Sequence, residues 1–496
     1  MSRIPARAHV VVVGDVVLDA DVDGRVERLS PDAPVPVVDV TGRRESPGGA
    51  GLAALLCAAG AQVTLVAPVA DDAAGARLAA QLERHLTLVR LPHQGGTRTK
   101  TRIRSGGQSL VRVDDGGPGA PGDLDAEARE AVREVLAAAD AVLVSDYGAG
   151  VTRDPALRDL LATAACRRPV VWDPHPRGGE PVVGATLATP NLAEARGACG
   201  EDAPPDVLAA RLAAGWGVRA VCVTAGATGA FLAAAGTEAV FVPAVSAAGG
   251  DPCGAGDQFA ATVTVALAGG ALPSEAVERA VVDASAWVAA GGAEGYRARL
   301  AAAAPAPNRA VAGRTEAQPE WHSGRSEAQP ERQVGRAGGR PGRTLEELAA
   351  RLRAAGGTLV ATGGCFDIVH AGHVATLQAA RRLGDHLVVL MNSDASVARL
   401  KGPGRPVVGA ADRARVLEAL DCVDAVVVFD EDDPREALRR LRPDVWAKGG
   451  DYGGAQLPEA DVVRAGGGRV VLLPYLGGLS TTTIIERSAA SVGRAS

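Results

Sequence analysis

Lysine is almost missing from this chain. Its 52 basic residues include only three lysines, Lys100, Lys401 and Lys448, so arginine occupies nearly every basic position. On an open surface a guanidinium replaces an ammonium freely, but not where a compact point charge is preferred, as in phosphate sites. The surviving lysines are therefore candidate phosphate ligands, weighed against the plain alternative that a few persist without a role. Paired cysteines are lacking too. Cys57, Cys166, Cys199, Cys222, Cys253, Cys365 and Cys422 are scattered with no Cys-x-x-Cys pair, which argues against a disulfide framework or zinc site and for reduced thiols in a cytoplasmic protein. No long hydrophobic run occurs. Phe259–Pro273 is too short and glycine-broken to span a bilayer, and Met1–Val13 does not read as a signal peptide. Nor is there an excess of positive charge. A net charge of −6 with interspersed signs excludes a sequence-independent nucleic-acid binder and favours small-molecule partners.

What is present is 496 residues, too many for a single hydrophobic core, so two or three domains are expected. The first 300 or so alternate β-branched strands (Val10–Val13, Ala141–Val144, Val170–Trp172, Thr186–Ala188, Val221–Thr224) with alanine-rich helices (Glu127–Ala139, Ala156–Ala165, Asp206–Ala214). That alternation predicts an α/β fold with a doubly wound, mostly parallel sheet. Its strands end in polar clusters, Gly14-Asp15, Ser145–Tyr147, Asp173-Pro174, Thr189–Asn191 and Thr224–Gly229. Ligands bind beyond the carboxyl ends of such strands, so these clusters are expected on one rim. Residues 301–343 are rich in Ala, Pro, Gly, Arg and Gln and carry a near-repeat, Gly313–Glu320 and Gly324–Glu331. They read as a disordered linker, or less simply as a repeated binding motif. Order resumes with strands Thr358–Thr362, Leu387–Leu390, Ala425–Phe429, Asp444–Trp446 and Val470–Leu473 and helices Val374–Leu383, Asp412–Leu420 and Pro434–Leu441. The expected division is thus 1–300, 301–343 and 344–496, the last being a second, smaller α/β domain.

Two glycine-rich turns carry chemistry. Gly249–Asp257 precedes a long apolar helix expected to start near Gln258. Gly254, Ala255 and Gly256 let backbone N–H groups converge at a helix N-terminus, which favours phosphate, and Asp257 is placed to accept the proton of an attacking hydroxyl. The bland alternative is a tight helix-entry turn. In the second half, Thr362–His373 follows a strand and opens a helix, with Gly372 beside His370 and His373. Two imidazoles there can donate hydrogen bonds to phosphate oxygens as charge builds. The same His-x-x-His spacing is also half of a zinc site, but no convincing further ligand set accompanies it.

The first half resembles the ribokinase-like carbohydrate kinases, whose signature ends in the Gly-Ala-Gly-Asp run found at 254–257. The resemblance implies a sheet domain with a small β lid, one strand of it at Val35–Val40. It implies sugar contacts at Asp15, Asp19, Gly48 and Gly49. ATP contacts follow at Asn191, Leu192, Ala193, Glu194, Thr224, Gly226 and Gly229, with water-bound Mg2+ at Asn191 and Glu194. Arg28–Val37, Thr99–Ile103 and Leu143–Tyr147 are closest to the kinase half of the bifunctional heptose-phosphate kinase/adenylyltransferase family. There Lys100 and Arg102 would meet a sugar phosphate, unless they are merely solvated strand charges. Leu52, Ala149, His175 and Cys253 depart from that family's asparagine, two lysines and threonine.

Residues 357–487 resemble the cytidylyltransferase-like nucleotidyltransferases, again nearest the heptose family. The motifs are Thr362–His373, Asn392–Asp394, Leu400–Gly402, Arg405-Pro406, Arg413, Lys448–Tyr452 and Ser480–Ile484, with Gly364 standing for an asparagine. The resemblance implies a Rossmann-like domain. In it His370, His373, Lys401 and Lys448 would be catalytic, Gly364, Phe366, Arg413, Ser480, Thr481 and Thr482 would bind nucleotide, and Asp367 and Asp394 would bind substrate. The whole chain would phosphorylate D-glycero-D-manno-heptose 7-phosphate at C1 with Mg-ATP. After a separate phosphatase, it would transfer AMP from ATP to heptose 1-phosphate, giving ADP-heptose. A homodimer through the kinase lid is the expected assembly. The rival readings are another sugar or polyol phosphate, another nucleotide in the second domain, or a kinase-like half that only binds nucleotide or dimerises.

Overall fold

The computed structural model describes residues 7–106, 108–117, 120–245, 249–303, 345–449 and 457–474. Its contacts divide into two units, one built mainly from residues up to Glu294, the other mainly from Gly295–Ala447. The 301–343 stretch falls almost wholly outside the described residues, as do Ser480, Thr481 and Thr482.

In the first unit, nine strands lie in the order Ala239–Pro243, Gly229–Ala233, Val221–Thr224, Leu187–Ala188, Val170–Asp173, Ala141–Ser145, His9–Gly14, Gln62–Pro68 and Thr87–Leu91. The seven from Val221–Thr224 to Thr87–Leu91 are mutually parallel, and Gly229–Ala233 runs antiparallel to both neighbours. Parallel pairing needs both sheet faces covered, which is why these strands read as near-continuous valine and leucine. Val11, Val13, Val142, Val144 and Trp172 meet Leu136, Leu157, Leu161 and Leu212 in one buried cluster. These leucines come from helices Ala126–Ala138, Pro155–Ala165 and Pro205–Trp216. Asp125 and Asp154 cap the first two by accepting backbone N–H groups at 2.8 Å, the expected chemistry for an orphaned first turn.

A second sheet stands apart, ordered Pro36–Gly49, Val16–Leu29, Thr99–Ser105, Gln108–Asp115. The expected Val35–Val40 strand is the start of a much longer one. The strand lists read from apolar runs left the others out, because they are rich in charge: Val16–Leu29 is buried only in its first half, Thr99–Ser105 is mostly half-buried and Gln108–Asp115 is exposed throughout. The helix expected near Gln258 begins earlier, at Ala255.

In the second unit the order is Ala425–Phe429, His386–Asn392, Leu359–Gly364, Val445–Gly449, all parallel. The expected helices appear as Ala371–Arg381, Ala410–Glu418 and Arg435–Leu441; the expected strand Val470–Leu473 appears as Arg469–Leu473, with Val470 onward grouped in the first unit. Among the described residues no helix is long and apolar enough to cross a membrane.

Candidate active sites

Because the central strands of the first unit are parallel, their polar ends do gather on one rim. Asp15, at the end of His9–Gly14, is buried and accepts N–H bonds from Tyr147 (3.2 Å), Ala149 (2.9 Å) and Val151 (3.3 Å) in the neighbouring strand's exit loop. Burial still outweighs those donors and raises its pKa. Asp173 receives the Thr189 hydroxyl at 2.9 Å, and burial, aided by the charges of Asp257 and Glu194, pushes its carboxyl well above the ordinary range. Asn191 bridges to Thr224.

Asp257 sits in the first turn of Ala255–Ala268, 6% exposed. Gly254 caps this helix at φ 78°, and a Cβ there would lie 3.1 Å from Trp287 and 3.3 Å from Leu52, so the turn requires glycine. Burial raises the Asp257 pKa to about 7, with Asp19 adding to the shift and Tyr147 and Lys100 opposing it. The lid supplies the groups above it. Asp19 pairs in register with Lys100, Arg102 binds Asp19 at 3.2 Å, and Lys100 lies over the Tyr147 ring at 5.8 Å. A Cβ on Gly48 would strike Asp19 Oδ2 at 2.3 Å, so the paired glycines let the second lid strand press against that carboxylate. Asp15, Asp19, Gly48, Gly49, Lys100, Arg102 and Asp257 thus form one constellation. Arg102 is paired with Asp19, whereas Lys100 forms no ion pair within 4.0 Å among the described residues and acts on Asp257 only at longer range.

Farther along the rim, Asn191 and Glu194 form a reciprocal capping box on Leu192–Cys199. The Glu194 N–H donates to Asn191 Oδ1 (3.0 Å), and the Asn191 N–H to Glu194 Oε2 (2.9 Å). Burial raises the Glu194 carboxyl's pKa, against the hydrogen bonds it receives from Asn191. Gly226 has open space where a Cβ would be, as a surface receiving a ligand requires, while Gly229 is fixed by close backbone packing. Of the departures from the kinase pattern, Leu52 packs under Gly254, Ala149 contributes its N–H to Asp15, and His175 stacks close to Gly148 with its pKa lowered by burial.

In the second unit, His370 caps helix Ala371–Arg381. Its Nδ1 accepts from the Gly372 N–H at 3.2 Å, and its own N–H donates to His373 Nδ1 at 3.4 Å. The two rings lie 3.9 Å apart, with Phe366 5.4 Å from His373. With both Nδ1 atoms accepting, each neutral ring carries its proton on Nε2. Burial, and secondly the neighbouring His370, lower the His373 pKa to about 4. Among the described residues no cluster of three or more metal-binding side chains accompanies them.

Three residues expected at ligands are engaged within the protein, Arg413 and Asp367 buried and Asp394 exposed. Arg413 is 1% exposed. Its guanidinium donates to the carbonyls of Val408 (2.9 Å), Asn392 (3.0 Å) and Cys365 and to Asp394 (2.7 Å). Asp394 accepts from Arg413 and from the Ala410 N–H, which hold its carboxyl below the usual range. Asp367 is buried, yet the N–H groups of Val407 and Val408 and the Arg405 side chain outweigh burial and keep it low. A sequence cannot separate a ligand-binding arginine from one that ties three loops together, since both are needed at a pocket. Lys401 ends helix Asp394–Lys401 and is exposed, and Lys448 stands at the carboxyl end of Val445–Gly449. Gly364 has Phe366 3.3 Å from where its Cβ would be. The sequence reading missed Tyr147, Asp173 and Thr189 as site residues. Their signals were a place in polar strand-end clusters and, for Tyr147, the Leu143–Tyr147 motif.

Comparison with known proteins agrees with this two-part layout. Residues 7–296 match the pfkB family carbohydrate kinase model and residues 361–461 the cytidylyltransferase-like model. A "Bifunctional protein HldE" of Streptomyces coelicolor is 50% identical over 492 residues, covering 97% of each chain, and one of Halorhodospira halophila is 42% identical over 487 residues, again 97% of each. Among solved structures, a ribokinase from Thermotoga maritima covers 60% of this chain and 99% of its own, with 21% identity and a TM-score of 0.44.

Proposed function

Since the chain belongs to the family of bifunctional HldE proteins and carries both a pfkB family carbohydrate kinase region and a cytidylyltransferase-like region, we propose that it makes ADP-heptose in two steps, one at each site. It is a sugar kinase and a nucleotidyltransferase in a single chain. In the first step Asp257 takes the proton of the C1 hydroxyl of D-glycero-D-manno-heptose 7-phosphate. The freed oxygen attacks the γ-phosphorus of ATP, the bond to the bridging oxygen breaks, and ADP leaves with the electron pair. A base with a pKa of about 7 is matched to that task near neutral pH. Lys100 and the N-terminus of Ala255–Ala268 offset the charge on the transferring group, while Asp15 and Asp19 hold sugar hydroxyls.

Mg2+ would neutralise the ATP phosphates and orient the γ-phosphoryl group. Such an ion keeps most of its water and needs only one or two carboxylates, which suits the half-buried Glu194 carboxylate on the rim. Asn191, Leu192, Ala193, Thr224, Gly226 and Gly229 line the nucleotide's side of the rim.

In the second step an ionised phosphate oxygen of heptose 1-phosphate attacks the α-phosphorus of ATP and pyrophosphate leaves, so no base is required. His370 and His373 offer Nε2–H donors to the charge that builds, Lys401 and Lys448 neutralise it, and Phe366 and Gly364 shape the nucleotide pocket. Ser480, Thr481 and Thr482 take the outer phosphates. Arg413, Asp367 and Asp394 act through the loops they fix. Because the first product bears phosphate at both C1 and C7, a phosphatase must act between the steps.

The protein works in the cytoplasm as a homodimer. Leu110, Val111 and Val113, left exposed on the lid strand Gln108–Asp115, support association through the lid. The buried Asp257 carboxylate beneath the lid cations carries the kinase assignment. Asp257→Asn is expected to lower ADP release with heptose 7-phosphate by about 10²–10⁴-fold. ADP release that survives the substitution would remove Asp257 from the mechanism.

A further inference from the structure

We propose that Tyr147 is the positioning residue for the kinase base, holding Asp257 ionised and fixing which carboxylate oxygen faces the acceptor. The proposal rests on Asp257 being that base. The Tyr147 hydroxyl lies 2.7 Å from Asp257 Oδ1 and 2.8 Å from Oδ2, so a single O–H straddles the carboxylate. When an acceptor hydroxyl arrives, one oxygen remains with Tyr147 and the other is left to take the proton.

The ring cannot drift. Its own backbone N–H donates to Asp15, Lys100 covers one face, and a Cβ on Gly49 would lie 3.5 Å from its edge. Tyr147 therefore ties the base to three segments: the first strand's exit at Asp15, the glycine pair, and the lid strand bearing Lys100. Burial, reinforced by the Asp257 charge, keeps the phenol protonated and a donor throughout the working range.

The charged and titratable groups facing Asp257 are Asp19 and Lys100 from the lid, Tyr147 from the strand-exit loop, and Asp173 from the adjoining strand. Of these only Tyr147 donates a hydrogen bond to it. A donor to the ionised form lowers an acid's pKa, so its removal must raise that of Asp257.

Tyr147→Phe deletes the hydroxyl and retains both the ring and the backbone donor to Asp15. Two readouts test it in the full-length protein. The acid limb of kcat/KM for the acceptor sugar is expected to move up by about one pH unit, so that activity falls about tenfold at pH 6 and far less at pH 9. Infrared difference titration, with Asp257→Asn identifying the Asp257 carboxylate band, should show the same upward shift without any turnover. A titration that superimposes on wild type overturns the proposal, and so does a fall in activity that is equal at every pH. A shifted band in a protein that phosphorylates no sugar would sink the kinase reading and leave the positioning role standing.

Discussion

The two sites put one force to opposite uses. Under the lid, burial drives the Asp257 carboxyl upward to about 7, which suits the proposed role of base. At the second site, burial drives His373 downward to about 4, so its ring stays neutral, its Nδ1 accepting a backbone N–H and its Nε2–H left to donate. Desolvation always favours the uncharged form. Whether that yields a proton acceptor or a fixed donor depends on which residue is buried. The kinase reaction has a hydroxyl proton to remove and needs the first; nucleotidyl transfer to an already ionised phosphate needs only the second.

The sharpest attempt to break this contrast is His373→Ala. Loss of one donor to a developing phosphate charge is expected to cut pyrophosphate release from ATP and heptose 1-phosphate by about 10²–10³-fold, with ADP release from the kinase unchanged. Equal loss of both activities would show that the two sites are not separate devices.

A smaller effect should separate binding from scaffolding. Arg413→Ala would leave the carbonyls of Cys365, Asn392 and Val408 without their donor. The second unit's unfolding transition is expected to be destabilised by about 3 kcal/mol, visible by denaturant titration with the kinase transition in place. A variant that keeps its stability but loses nucleotide affinity would return Arg413 to the ligand.

The smallest effect is one of sign. A carboxyl whose folded pKa is raised contributes stability at pH below about 4 and loses it as pH rises towards 7. A histidine whose folded pKa is lowered does the reverse, losing stability as pH falls from about 6.5 to 4. Asp257→Asn should therefore raise the kinase transition at neutral pH, and His373→Gln should flatten the acid-side loss of the second. Melting curves across pH 4–8 in which the Asp257→Asn gain fails to grow as pH rises, or the His373→Gln gain fails to grow as pH falls, would defeat the account.

Much of the first unit was legible because buried parallel strands leave a plain mark. The run at Val10–Val13 and its counterparts at Val142 and Val170 are apolar on both faces, and the polar residues after them could only lie at one edge. The lid was nearly invisible for the converse reason. A strand such as Thr99–Ser105, alternating threonine with charge, has no core to declare. Roles were harder to read than places. Asp367, Asp394 and Arg413 were singled out by their motifs, and in the fold they brace the loops at Cys365 and Val407.

The order of elements, the two glycine turns with their acid and histidines, and the scarcity of lysine were settled by the sequence alone, because backbone geometry and phosphate charge constrain which residue types can stand at those positions. Only the tertiary structure decided that Tyr147 meets Asp257, that Asp173 lies beside it, and that burial rather than a neighbouring charge sets the titration of both sites. Those are contacts between segments distant in the chain, and desolvation belongs to the packed surroundings of a residue, which no local pattern records.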